Sequence, residues 1–125
     1  MDALVLIEDA AVRDNVLVGL RNVPGIKPEA PLGFPNIDRA KRRAYHAIFI
    51  DHDPNRGGAN DRLQRIHDLA PKAEVVVVAE PRATRALAPE RARLKIAAFL
   101  DLPLNVTEFF RLAVRLRKRA DSVPR

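Results

Sequence analysis

The chain has 125 residues, 47% hydrophobic and 30% charged, a length and balance that suit one globular domain with a buried core. It has no cysteine, which excludes a disulfide framework and a thiolate metal site. Lys and Arg outnumber Asp and Glu by 22 to 16; the formal net charge of +6 permits an acidic partner or nucleic acid, but a solvated arginine-rich surface gives the same sum.

The first residues, "MDALVLIEDA", lack the basic start of a secretion leader, and no stretch reaches membrane-spanning length, so a cytoplasmic protein is expected. "ALVLI", Ala3 to Ile7, is a short apolar run closed by Glu8 and Asp9, and it predicts a strand buried on both faces. Val12, Val16, Leu17 and Leu20 then repeat at helical spacing until Pro24-Gly25 ends the pattern. Between Gly25 and Asn36 three prolines argue against a central strand, leaving room for a short edge strand around Ile26 to Ala30. "NIDRAKRRAY" predicts a helix capped by Asn36.

"AIFI", Ala47 to Ile50, predicts a second buried strand ending on Asp51, and "DPNRGGAN" a loop. "NDRLQRIHDLA" places Leu63, Ile66, Leu69 and Ala70 on one side of a helix. "EVVVVAE" is a strand of β-branched residues. "RATRALAPERARLKI" predicts a helix that Pro89 interrupts, and "AAFLDLP" a further strand. "NVTEFFRLAVRLRKRAD" closes the chain as an amphipathic helix, with Asn105 and Glu108 at capping-box spacing. Phe109, Phe110, Ala113, Val114 and Leu116 form its apolar side, with one of the two phenylalanines available to an interface; "SVPR" reads as a frayed end.

Strands alternating with amphipathic helices predict a three-layer α/β/α domain, a doubly wound parallel sheet, spanning 1–120, with 121–125 a tail or the start of a linker. In such sheets chemistry sits beyond the carboxyl ends of the strands, at the switch point. Glu8, Asp9 and Asp51 fall at such ends, and they converge if the strands that carry them are neighbours. Clustered carboxylates need a counter-charge. Mg2+ suits them, because it takes oxygen ligands and keeps several waters, and an Asp beside it can accept a phosphoryl group. The plainer alternative is that they cap neighbouring helices. "DHD" at 51–53 joins neither His46 nor His67 at metal-ligand spacing, and Gly57-Gly58 belongs to no phosphate-binding fingerprint.

The order of elements resembles the receiver domain of bacterial response regulators, the CheY-like family. "VLIED" resembles its first strand with the acidic pair Glu8 and Asp9. "HAIFIDHDP" resembles the third strand with its phosphoacceptor, at Asp51, and "AAFLDLP" the fifth strand, with Phe99 at the aromatic switch position. The resemblance spans nearly the whole chain. It implies a flavodoxin-like five-stranded sheet of order 2-1-3-4-5, a non-enzymatic signalling module, Mg2+ held by Glu8, Asp9 and Asp51 if the pocket is retained, and protein partners: a histidine kinase, an effector or an output domain.

The departures bear on function. Where the family has a Thr or Ser at the end of the fourth strand, "VVVVAE" has Ala79, or Val78 if the register slips by one. Where the family has a Lys before the proline after the fifth strand, "FLDLP" has Leu102. The loop from Asp51 to Pro54 is one residue shorter than the family's, which disturbs a backbone metal ligand and leaves Asp53 to replace it or to block the site. Each missing contact to a phosphoryl dianion is worth roughly 1.5–3 kcal/mol. Loss of two removes much of the differential binding that a population shift requires.

These observations favour an atypical, or pseudo-receiver, domain that acts as a protein-interaction module with impaired or absent phosphorylation switching. The alternative is a receiver phosphorylated on Asp51 with Mg2+; a weaker one is a basic nucleic-acid-binding accessory domain, for which no DNA-reading motif is present. Arg111, Arg115 and Lys118 on the last helix are the interface candidates. The last two helices and the strand between them offer a homodimer surface.

Overall fold

A computed structural model describes residues 1–31 and 36–122. Among these, five strands, β1 (Asp2–Leu6), β2 (Lys27–Glu29), β3 (Ala47–Asp51), β4 (Glu74–Ala79) and β5 (Ile96–Asp101), form one sheet of order β2-β1-β3-β4-β5, with every pairing parallel. The expected 2-1-3-4-5 order is therefore the observed one. Four helices, α1 (Ala10–Arg21), α2 (Ala59–Leu69), α3 (Pro81–Leu87) and α4 (Val106–Ser122), cover the two faces.

The central strands are apolar throughout because both faces are covered. Alternate residues feed two cores. Val5, Ile7, Phe49, Val76 and Val78 pack against α1 and α4 through Val16, Leu20, Phe109, Leu112 and Leu116. Leu4, Leu6, Ile48, Ile50 and Val77 pack against α2 and α3 through Leu63, Ile66, Ala83 and Leu87. The α1–α4 contact depends on Gly19, where a Cβ would stand 2.9 Å from Cδ1 of Phe109 and closer still to Cε1.

Two expected helices are shortened. Residues 36–45 form only a 3₁₀ turn, Ile37–Lys41, capped by Asn36, whose Oδ1 accepts the Asp38 N–H at 2.9 Å. Ile37 and Ala40, three apart, are its buried residues; Ala44, the next apolar position at helical spacing, is exposed, and Tyr45 beside it is buried instead, so no α-helix face is carried forward. The helix expected over 82–96 ends at Leu87 and passes into a 3₁₀ turn, Ala88–Glu90, because Pro89 has no N–H to continue the ladder. The edge strand is the three-residue β2. Asn105 caps α4 as expected, accepting the Glu108 N–H at 2.9 Å. α4 runs through Ser122, and the last three residues of "SVPR" lie outside the described residues.

Candidate functional site

β1 and β3 are neighbours, so the topological switch point lies between them and their carboxyl ends meet. Glu8, Asp9 and Asp51 converge there, as the sequence implied, on a cleft of about 470 Å³ also lined by His52, Asp53, Arg56, Ala59 and Arg62. The carboxylates are not a free cluster. Oδ2 of Asp51 accepts the Glu8 N–H at 3.0 Å, and Oδ1 accepts from Nη1 of Arg62 at 2.7 Å. The same Nη1 donates to the Asp51 carbonyl at 2.9 Å, and Nη2 donates to the Leu6 carbonyl at 3.3 Å. One guanidinium thus ties α2 to the ends of β1 and β3. Glu8 forms an ion pair with Arg56. Asp9 is the N-cap of α1, its Oδ1 accepting the Val12 N–H at 3.0 Å. Asp53 turns into its own loop and accepts the Asn55 N–H at 2.9 Å.

The plainer alternative therefore applies to Asp9, which caps a helix. Glu8 and Asp51 instead take arginine partners, which the sequence reading did not anticipate. Arg62 had left a trace. It sits in the first turn of α2, where a cation opposes the helix dipole and needs a specific anion to hold it. Arg56, exposed on the loop, left none. The loop reaches α2 through Gly58, whose φ of +78° favours glycine. His52 is 8% exposed, and its pKa lies below the ordinary 6.5, first because burial disfavours the imidazolium and second because Arg62 is near.

The arrangement does not suit Mg2+. A hard divalent ion needs carboxylate lone pairs directed at it and no cation beside it. Here the partnered oxygens of Glu8 and Asp51 face guanidinium groups and a backbone N–H, and Asp9 is turned to its helix. Among the described residues no group of three His, Asp or Glu side chains is spaced to hold a metal ion.

A second cleft of about 700 Å³ opens from Asp51 toward β4 and β5. Ile7, Val12, Val78, Ala79 and Leu102 contribute its apolar lining, and Arg82 and Arg85 contribute charge from α3. The strand register sets Val78 opposite Asp51 and Ala79 one residue further, opposite Asp101. Neither carries a hydroxyl. Leu102 follows β5, with its N–H donating to the Ala79 carbonyl at 2.9 Å. Phe99 pairs with Val77 in the middle of β5, away from Asp51, and lines a separate cleft of about 360 Å³ with Arg91, Leu112, Arg115 and Arg119.

On α4, Arg111, Arg115 and Lys118 are exposed. Arg117 reaches back to the Pro24 carbonyl at 3.2 Å, and Arg119 to Oε1 of Glu74 at 2.7 Å. The paired phenylalanines part company: Phe109 is buried and packs against Phe49 at 6.0 Å, whereas Phe110 is 51% exposed. Among the described residues no helix is long and apolar enough to cross a membrane.

No protein-family model matches the chain. No curated protein matches it either. Solved structures do. The response regulatory domain of mrkE from Klebsiella pneumoniae superposes with a TM-score of 0.78 at 13% identity, covering 98% of this chain and 100% of that one. The receiver domain of response regulator 1452 from Francisella gives 0.73 at 16% identity, covering 95% and 98%. A protein named adenylate cyclase from Rhodopirellula baltica gives 0.75 at 10% identity, covering 97% and 92%. The chain therefore has the receiver fold, and at these identities the likeness extends to the fold and no further.

Proposed function

We propose that this domain is an atypical receiver, a regulatory protein-interaction module of bacterial two-component signalling that operates without the phosphorylation switch. One observation carries the reading. Asp51 stands at the phosphoacceptor position, but its carboxylate is bonded to Arg62 and to the Glu8 N–H, and the cleft beside it is lined by Val78, Ala79 and Leu102. A phosphoryl group on Asp51 would meet apolar side chains where a hydroxyl and an ammonium are needed.

The interaction surface is assigned to α4 and β5. Arg111, Arg115 and Lys118 project from α4, with half-exposed Phe110 on the same helix, a combination of cations and an aromatic anchor suited to an acidic protein partner. That partner is a kinase, effector or output domain, or a second copy of the chain.

Two measurements test this. Incubation with a small-molecule phosphoryl donor and Mg2+ is expected to leave Asp51 unlabelled, read by mass spectrometry. Stoichiometric labelling that Asp51→Asn abolishes would establish the alternative, a phosphoacceptor receiver. Arg115→Glu with Lys118→Glu is expected to abolish capture of the partner that wild type retains; undiminished capture refutes the surface assignment.

A further inference from the structure

The carboxylates that the sequence offered to a divalent ion meet at the switch point, but they are already partnered there. We propose that Arg62, with Arg56 beside it, is a resident cation that substitutes for the divalent ion and excludes it, so the pocket holds one electrostatic state whatever the Mg2+ concentration.

Three features support the substitution. Arg62 bonds the Asp51 side chain, the Asp51 carbonyl and the Leu6 carbonyl, and so spans the two strand ends that a metal would bridge. Glu8 is bound to Arg56. The side chains of Arg62 and Asp51 are 23% and 26% exposed, so the pair is shielded enough for its charge to act on an incoming ion. A divalent ion entering here would have to displace one guanidinium while facing another, with Asp9 turned to Val12 and Asp53 to Asn55. A guanidinium on a covalent tether differs from a metal in a way that matters. It donates hydrogen bonds from fixed directions but has no open coordination position to offer a ligand oxygen. The inference extends the reading of an unswitched pocket, and divalent binding tests it separately from phosphorylation.

The probe is Mn2+, titrated into ¹⁵N-labelled protein while amide line broadening is followed at Glu8, Asp9 and Asp51. Wild type is expected to show no saturable broadening into the millimolar range. Arg62→Gln, which keeps hydrogen-bond donors and removes the charge, is expected to gain a site at those amides with affinity at least roughly tenfold above wild type. The double variant with Arg56→Ala is expected to gain more. Should Arg62→Gln fail to fold, Arg56→Ala alone, at an exposed loop side chain, carries the test, with broadening expected around Glu8. Saturable broadening in wild type overturns the proposal, as does a folded variant that gains none. Wild-type Mn2+ binding without labelling of Asp51 would sink this inference and leave the proposed function standing; binding with labelling would sink both.

Discussion

The sign of the stability change in Asp51→Asn separates two descriptions of the switch point. In a pocket of mutually repelling carboxylates, removing one negative charge relieves repulsion and stabilises the fold. In the arrangement found here, Asp51 is the anion that neutralises Arg62, and the same change destabilises. Fully exposed ion pairs contribute at most about 1 kcal/mol, whereas breaking a buried one costs about 3–5 kcal/mol. With Arg62 and Asp51 each about a quarter exposed, the pair lies between these limits. The amide of the substituted side chain would also keep an acceptor oxygen for the Glu8 N–H. A loss of about 1–2 kcal/mol follows. For a chain of this length that lowers Tm by about 3–8 °C. The assay is thermal and urea unfolding of wild type, Asp51→Asn, Arg62→Gln and the double variant, which closes a double-mutant cycle. A coupling energy of about 1 kcal/mol is expected. A rise in Tm for Asp51→Asn, or a coupling within error of zero, would refute the assignment of Arg62 as the counter-charge.

Gly19→Ala should destabilise by about 1–2 kcal/mol in urea unfolding, because the overlap of its Cβ with the buried Phe109 ring outweighs the roughly 0.5–1 kcal/mol that alanine gains over glycine in a helix. The depressed pKa of His52 means that below its ordinary 6.5 the unfolded chain binds a proton that the folded chain refuses, so stability falls as pH drops from 6.5 toward the folded-state value. His52→Gln should flatten that limb of the stability–pH curve. Thr84→Val should cost about 1 kcal/mol in thermal unfolding, because the buried Thr84 hydroxyl joins the Pro81 carbonyl at 3.0 Å and Oδ1 of Asp101 at 2.6 Å.

The layers were legible because central parallel strands must be apolar along their whole length, whereas the strand order was implied only by the resemblance to the receiver family. "ALVLI", "AIFI" and "VVVV" announce themselves, and the helices between them show their buried faces at spacings of three and four. What failed was local. The stretch over 36–45 has cap and composition for a helix, but its buried positions, Ile37, Ala40 and Tyr45, do not follow one helical face, so tertiary packing overrode propensity. At the site, Glu8, Asp9 and Asp51 could be placed because strand ends are fixed by the sheet. Their partners could not, because Arg56 and Arg62 come from a loop and from the start of a helix whose rotation about its axis is set by Leu63 and Ile66. Among 22 basic residues, the place of Arg62 in the first turn of a helix was a faint signal, and Arg56 gave none.

A phosphoryl group moves a receiver only to the extent that two conformations bind it differently. The difference has to come from groups that reach the phosphoryl oxygens in one state and not in the other. On the β4 and β5 side of Asp51 stand Val78, Ala79 and Leu102, none of which donates a hydrogen bond from its side chain; the guanidinium donors of that cleft, Arg82 and Arg85, come from α3. Phe99 lies beside Val77, two residues short of the end of β4, and its cleft is framed by Leu112, Arg115 and Arg119 of α4. On the reading proposed above, Val78, Ala79 and Leu102 give Asp51 no pull on that side of the sheet, and Phe99 would keep its rotamer when the pocket changes charge. If the α4 face binds a partner, its affinity should then be constitutive and set by charge. Association would weaken as salt screens Arg111, Arg115 and Lys118, and it would be indifferent to phosphoryl donors. Control would pass to whatever sets the concentration or the accessibility of the partner, which is a different regulatory logic from that of a receiver whose surface is made and unmade by its own aspartate.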